Sequence, residues 1–300
     1  MQWVSAAATI AMMIPDERQG RSLRVSLVTH NSDLSLLRRT LRSLGDSIGI
    51  ASASRRLSTV RIVAIDIGSA HDYQQALQAL FDECLESNAS LSYGVTLNRE
   101  NPGFGAAHNE AQAGAGEDYL LVLNPDVELS PGFLEAAISW LDSHTNAVAL
   151  NPRSMRSDLA PEYLCKRFPA PLVLLARALD LPWLKRLLRK AMERYEYRDR
   201  DLEQVGVVEL LSGACLMIRA RAFAQVQGFD ERFFMYFEDF DLSVRLRYHG
   251  ELAYLPSAAI VHHGGNAARK GGHHVKWFVA SAFRFYLSHG LSGGRRTPRI

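Results

Sequence analysis

The sequence predicts an α/β fold built on a doubly wound, mostly parallel sheet. Three features predict it: short β-branched apolar runs recur in the first half, segments with leucines at helical spacing lie between them, and each run ends in a polar loop. Strands that read as continuous apolar runs are those buried on both faces, as in a parallel sheet covered by helices. Residues 24–29 (RVSLVT) form the first such run. Asn31, Ser32 and Asp33 then offer capping side chains, and Leu34, Leu37, Leu41 and Leu44 follow at helical spacing, completing a βα unit. The pattern repeats with a strand at 60–65, a helix at 72–86, a strand at 91–97, a helix opening near Gly105 and a strand at 119–123. Ligands of such sheets bind outside the carboxyl ends of the strands.

With 300 residues, 47% hydrophobic and 22% charged, the chain has material for one large domain or two closely joined halves, and disorder is excluded. A net charge of +2 excludes a whole-molecule polyanion binder, so no nucleic-acid partner is expected. Cys84, Cys165 and Cys215 are odd in number and widely spaced, which argues against a disulfide framework or a cysteine zinc site and for a reducing, cytoplasmic setting. The apolar run at 3–14 has no Lys or Arg before it and Asp16 and Glu17 after it. Residues 1–22 are therefore read as a loose extension rather than a secretory signal. No other apolar stretch reaches the roughly 18 residues a membrane span needs.

Polar groups end every strand of the series. Thr29, His30 and Asn31 end the first, Asp66 with Gly68 and Ser69 the second, residues 98–109 follow the third, and Asn124, Pro125 and Asp126 end the fourth. Any one of these loops reads equally well as a turn or a cap, but together they point to one crevice. Asp126 stands where a carboxylate can bind a hard cation that also takes phosphate oxygens, and such a cation neutralises charge on a diphosphate leaving group. The stretch 101–109 (NPGFGAAHN), with Gly103 and Phe104, allows close backbone approach ahead of a helix whose amino end favours anions. It fits neither a dinucleotide fingerprint nor a P-loop.

Residues 228–250 (GFDERFFMYFEDFDLSVRLRYHG) crowd Glu238, Asp239 and Asp241 beside five aromatics. Acids at a helix start offset the helix dipole. A carboxylate among apolar rings also acquires the raised pKa of a general base, and Asp239 is the candidate. Residues 169–200, with Trp183, Lys185, Arg186, Arg189, Lys190 and Arg194, read as a basic amphipathic helix, lying either on an anionic membrane surface or as a solvated face. Residues 276–289, aromatic with Lys276 and Arg284, admit the same two readings.

The ordered set SLVTHNS, Asp66-x-Gly68-Ser69, NPGFGAAHN, LVLNPDV, LSGACLMIR, the 228–250 segment and VHHGG resembles glycosyltransferase family 2. It is most similar to the rhamnosyltransferases of bacterial surface polysaccharide assembly, over residues 23–290. The resemblance implies a GT-A fold, with a Rossmann-like nucleotide-sugar-binding half at 23–128 fused to an acceptor-binding and catalytic half at 129–300. It implies inverting transfer dependent on Mg²⁺ or Mn²⁺. The donor is then a nucleotide-diphosphate sugar, dTDP-rhamnose first, and the acceptor a saccharide in cell-envelope polysaccharide synthesis; on its membrane reading, the basic segment at 169–200 brings the enzyme to a lipid-linked acceptor at the inner face of the plasma membrane. By the same resemblance Asp66 contacts the nucleobase, Thr29 and Asn31 line the nucleotide pocket, and Gly103, Phe104, Asn109 and Asn124 belong to the nucleotide-sugar site. Asp126 matches the metal-binding last position of the family's D-x-D, with Asn124 at its first. Asp239 matches the base, with Glu238 as an acceptor or positioning contact. His262 matches a histidine serving metal and diphosphate, chosen over His263 because Gly265 then completes H-x-x-G. Ile67 stands where relatives usually carry Asn in D-N-G-S. Another donor, such as a UDP-sugar, and a non-catalytic nucleotide-sugar-binding subunit are the alternatives.

Overall fold

The computed structural model describes residues 20–85, 90–179, 181–264 and 272–291, so the expected extension lies outside the described residues up to position 19. The first apolar run becomes β1 (Arg21–Thr29), whose last seven residues are buried. Asp33 caps α1 (Leu34–Ala53) by accepting from the amides of Ser35 and Leu36, and Leu37, Leu41, Leu44 and Ile48 form its buried face. There follow β2 (Leu57–Ile67), α2 (His71–Cys84), β3 (Leu91–Asn98), α3 (Phe104–Gln112) and β4 (Tyr119–Leu123). β2 and β4 flank β1 in parallel, and β3 lies parallel outside β2. The chain thus winds outward from β1 and returns to its other side, opening the switch-point crevice at the carboxyl ends of β1 and β4.

The same sheet continues through the second half, in the order β3-β2-β1-β4-β9-β6-β10-β5. Its elements are β5 (Val127–Leu129), α4 (Phe133–Ser143), β6 (Ala147–Arg156), β7 (Pro161–Glu162), α5 (Pro171–Leu179), α6 (Pro182–Leu187), α7 (Arg189–Tyr195), β8 (Gly206–Val208), β9 (Cys215–Arg219), α8 (Ala220–Gln225), α9 (Glu238–Leu246), β10 (Glu251–His262) and α10 (Gly272–His289). β9, the LSGACLMIR motif, runs antiparallel between β4 and β6, while β10 pairs parallel with β6. Both faces of the sheet are covered. Along β4, Leu121 and Leu123 join one apolar cluster with α1, α2 and α4, and Leu120 and Val122 join another with α8 and α9.

The basic segment is three short helices rather than one. Pro182 opens α6 as its first residue, and the preceding Leu181 is extended (φ −82°, ψ 114°), as the ring of a following proline requires. Leu188 (φ −95°, ψ 11°) separates α6 from α7. Val173, Leu174 and Tyr195 of this segment pack with Phe233, Phe237 and Phe285 in a third apolar cluster. Leu172, Leu175, Trp183 and Leu187 remain exposed. On α10, Val275, Val279, Phe283 and Leu287 recur every four residues and are between 58% and 72% exposed, so one face of that helix is an apolar stripe open to its surroundings. Among the described residues no helix is long and apolar enough to cross a membrane.

Candidate active site

At the ends of β1 and β2, Thr29 stands opposite Asp66 in register. Asp66 is fully buried. Its carboxylate accepts from Thr29 Oγ1 (3.1 Å), the Ser69 amide (3.0 Å), Ser69 Oγ (2.5 Å) and Gln74 Nε2 (2.9 Å), so it fastens the loop that follows β2. Asn31 adopts a left-handed backbone (φ 46°). Its N–H donates to Ser69 Oγ at 2.7 Å and its Oδ1 accepts from the Ala70 amide at 3.3 Å, clipping the two strand-end loops together. Ile67, the departure from D-N-G-S, is buried with Val28, Ile65, Ala107 and Ala111; an apolar contact with α3 replaces a polar side chain there.

Gly103 (φ 99°) ends the next loop, and a Cβ on it would stand 2.5 Å from Phe234 O. That approach lets the Phe104 amide donate to Phe234 O at 3.1 Å and docks the NPGFG loop on the aromatic segment. Phe104 packs edge-on to His108 with ring centroids 4.3 Å apart and lies under Gly213, where a Cβ would meet its ring at 3.0 Å. Asn109 commits its carboxamide to the main chain of Phe229, accepting at 2.8 Å and donating at 2.9 Å. The structure places it as a clamp between α3 and the 228–237 segment.

The loop after β4 is pinned at three points. The Asn124 amide donates to Ala214 O (2.9 Å), Thr40 Oγ1 donates to Pro125 O (2.9 Å) and the His263 amide donates to Asp126 O (2.8 Å). Asp126 Oδ1 is buried with no hydrogen-bond partner among the described residues, and His262 Nε2 faces it at 3.5 Å. His262 Nδ1 lies 3.0 Å from Glu162 Oε2, the kind of outer contact that orients a ligating imidazole. Burial would push the His262 imidazole down, but the Asp126 and Glu162 carboxylates outweigh it and raise it to about 10, so this place is made for positive charge. A Cβ at Gly264 would stand 2.3 Å from Asp126 Oδ2 and 3.0 Å from His262 Nε2, so only glycine leaves the space beside both open. Successive residues leaving a strand point to opposite sides, and His263 accordingly turns to Glu128 at 2.7 Å. Gly265 lies outside the described residues. Among the described residues no three His, Cys, Asp or Glu side chains converge as a metal cage. Asp126 and His262 fit a divalent cation that takes its other ligands from phosphate oxygens.

Tyr236 and Phe237 both have left-handed backbones (φ 69° and 65°), a rare state for bulky residues. Packing of Phe237 against Phe240, Phe278 and Phe285 holds the turn. It delivers Glu238 and Asp239 to the first turn of α9. Asp239 Oδ2 accepts from the Gly213 amide (3.1 Å) and Oδ1 from the Phe240 amide (2.8 Å). Burial raises Asp239 to about 6 against those two bonds. Glu238 is buried and is pushed well above the carboxylate range, first by burial and then by Asp239. Asp241 is instead held by Arg245 and His289, each at 2.7 Å. A cleft of about 330 Å³ is lined by Asp239, Glu238 and His262 together with Glu162, Lys166 and Arg177.

The sequence profile of Glycosyl transferase family 2 matches residues 25–226. The chain belongs to glycosyltransferase family 2. Over 258 residues this glycosyltransferase is 32% identical to the N-acetylglucosaminyl-diphospho-decaprenol L-rhamnosyltransferase of Mycobacterium tuberculosis, covering 82% of this chain and 81% of the relative. It is 28% identical over 210 residues to the rhamnosyltransferase WbbL of Escherichia coli K12, covering 66% and 75%. Among solved structures, GalNAc-T7 with UDP, GalNAc and Mn²⁺ superposes with a TM-score of 0.59 at 17% identity, over 83% of this chain and 45% of that one. The mannosyltransferase PcManGT of Pyrobaculum calidifontis with GDP-Man and Mn²⁺ gives 0.55 at 15% identity, over 90% and 66%. The fold of this family 2 glycosyltransferase is GT-A, and its sequence places it among rhamnosyltransferase-like members.

One residue of the glycosyltransferase site escaped the sequence reading. Asn151 of β6 is fully buried; its Nδ2 donates to Ser212 O (2.9 Å) and Cys215 O (2.7 Å), and its Oδ1 accepts from the Ser212 amide (2.7 Å). It shapes the loop whose Gly213 amide reaches Asp239. The available signal was an Asn closing the apolar run AVALN, since a buried polar side chain must find partners.

Proposed function

We propose that this glycosyltransferase moves rhamnose from dTDP-rhamnose to a lipid-linked saccharide acceptor with inversion at the anomeric carbon, in cell-envelope polysaccharide synthesis. The observation that carries the reading is one cleft lined by both Asp239 and His262, with His262 facing Asp126. The acceptor hydroxyl gives its proton to Asp239 as its oxygen attacks the anomeric carbon. A carboxylate raised to about 6 is ionised at neutral pH and more basic than an ordinary one, as a general base should be. Glu238, beside Asp239, contacts and positions the acceptor. Mg²⁺ or Mn²⁺ held by Asp126 and His262 would neutralise charge on the departing diphosphate. Thr29 and Asn31, on the loops fastened by Asp66, line the nucleotide pocket, and Gly103, Phe104 and Asn124 border the sugar. Residues 23–128 form the nucleotide-sugar-binding half and 129–300 the acceptor-binding and catalytic half.

Two observations support a lipid-linked acceptor. The Mycobacterium relative is named for a diphospho-decaprenol acceptor, and α5 and α10, which give Val173, Leu174 and Phe285 to the aromatic cluster with Phe237, also carry exposed apolar side chains. We place the enzyme peripherally at the inner face of the plasma membrane, with the α10 stripe in the interface. Burying Phe283 and Leu287 there contributes roughly 1.5–3 kcal/mol each. The double variant Phe283→Glu/Leu287→Glu should therefore stay at the bottom of a flotation gradient with anionic phospholipid vesicles, while wild type rises and both hydrolyse donor equally. Co-flotation of the variant would sink the membrane assignment.

The donor reading is tested by incubating purified enzyme with dTDP-, UDP- and GDP-sugars, with and without Mg²⁺ or Mn²⁺. Metal-dependent turnover of dTDP-rhamnose above the others is expected. Preference for a UDP-sugar would reassign the donor and keep the chemistry; donor binding without turnover, with lipid-linked acceptors present, would make the chain a binding subunit.

A further inference from the structure

Three cations surround a single carboxylate beside the cleft, and two of them, Lys166 and Arg177, line it. Glu196, just past α7, pairs with Arg177 of α5 and with Arg198, and lies 4.0 Å from Lys166 Nζ. Around Glu196 itself one negative charge meets three positive ones, with Glu162 and Asp239 the further acids of the cleft that face Lys166; the cluster is partly withdrawn from water, the Lys166 side chain being 14% exposed and that of Glu196 10%. Arg198 lies over the Tyr163 ring, 4.9 Å from its centroid. Lys166 and Arg177 sit 5.8 and 5.7 Å from the centroid of the Tyr195 ring, which steadies both heads, and both line the cleft that holds Asp239. Burial lowers the Lys166 ammonium to about 8 despite Glu196, so an additional anion would relieve rather than strain this wall.

We propose that Lys166 and Arg177 form a phosphate subsite for the acceptor, gripping the diphosphate that joins its sugar to its lipid. The inference rests on the lipid-linked acceptor reading above and names the group by which that acceptor is held. A hydroxyl at Asp239 leaves the phosphate on the anomeric carbon of the same sugar one ring away in the same cleft. The lipid then leaves along α5 and α6, where Leu172, Leu175, Trp183 and Leu187 are exposed. Arg177 supplies a fork for paired phosphate oxygens and Lys166 a point charge. His262 borders this same cleft and faces Asp126; the donor diphosphate is assigned to that pair and the acceptor diphosphate to Lys166 and Arg177.

Geranyl diphosphate, a sugar-free isoprenoid diphosphate, separates the possibilities by calorimetric titration into the full chain saturated with dTDP and Mg²⁺. Wild type should bind it. Lys166→Met and Arg177→Met should each weaken it at least tenfold at unchanged dTDP affinity, and Arg177→Lys should recover part of the loss. Melting curves check that each variant is folded. No binding by wild type, affinities within twofold in both Met variants, or displacement of dTDP by the probe would each overturn the subsite. Because the titration needs no turnover, failure of the glycosyltransferase reading shows separately, as absent metal-dependent donor turnover.

Discussion

Asp239→Asn should lower kcat about a thousandfold with donor KM little changed, within the roughly 10²–10⁴-fold that a positioned general base supplies. The wild-type rate should fall below pH about 6 with the slope of one proton, because the Asp239 carboxyl is raised to that value by burial and cannot accept a proton once it carries one. The residual rate of the variant should lack this acid limb. Stability moves the other way. Asp239 holds its proton to a higher pH folded than the ordinary carboxylate value of about 3.9, so its contribution is present below that value and is lost as pH rises through about 6. At neutral pH the variant sheds this penalty but turns an amide NH₂ toward the Gly213 or Phe240 amide, which the carboxylate accepted from. The two effects oppose, and melting temperature should shift little while activity collapses. An unchanged rate would remove Asp239 from the base role.

Asp126→Ala should reduce transfer at least a hundredfold, since metal stabilisation of a leaving diphosphate supplies several kcal/mol. Its diagnostic is the metal response rather than the rate alone. Wild type should lose activity in EDTA and regain it with Mg²⁺ or Mn²⁺, whereas the variant should respond to neither. Water-proton relaxation should show donor-dependent Mn²⁺ binding in wild type only. His262 keeps Glu162 as a partner at 3.0 Å, and the loop is pinned through main-chain groups at Asn124, Pro125 and Asp126, so the variant should fold. Full metal activation of Asp126→Ala would overturn the assignment.

The first half of the fold was legible because strands buried on both faces have no choice but a continuous apolar run, and β1 to β4 appear where RVSLVT and its successors stand. The second half was not, because an apolar run carries neither direction nor order. Nothing in CLMIR says that β9 inserts antiparallel between β4 and β6. The basic segment showed its composition, yet the consequences of Pro182 and Leu188 for its continuity emerge only in the backbone. The strand-end loops were visible residue by residue; their partners were not. That Asp66 is fully engaged by Thr29, Ser69 and Gln74, or that Asn109 clamps Phe229, depends on positions far apart in the chain. His262 and His263 are chemically identical in the sequence, and only the path of the chain leaving β10 sends one to Asp126 and the other to Glu128.

Asn151 bears on how this enzyme can be altered. Its position demands a side chain that donates to two main-chain carbonyls and accepts from the Ser212 amide: Asp would set a negative oxygen against two carbonyls, and Leu would leave all three backbone groups without this partner. The freedom of position 151 to mutate is thus set by the orientation of Asp239, a residue it does not touch. A library built to change sugar preference should leave it fixed and diversify the cleft walls, because variants at 151 should disturb the loop whose Gly213 amide reaches Asp239.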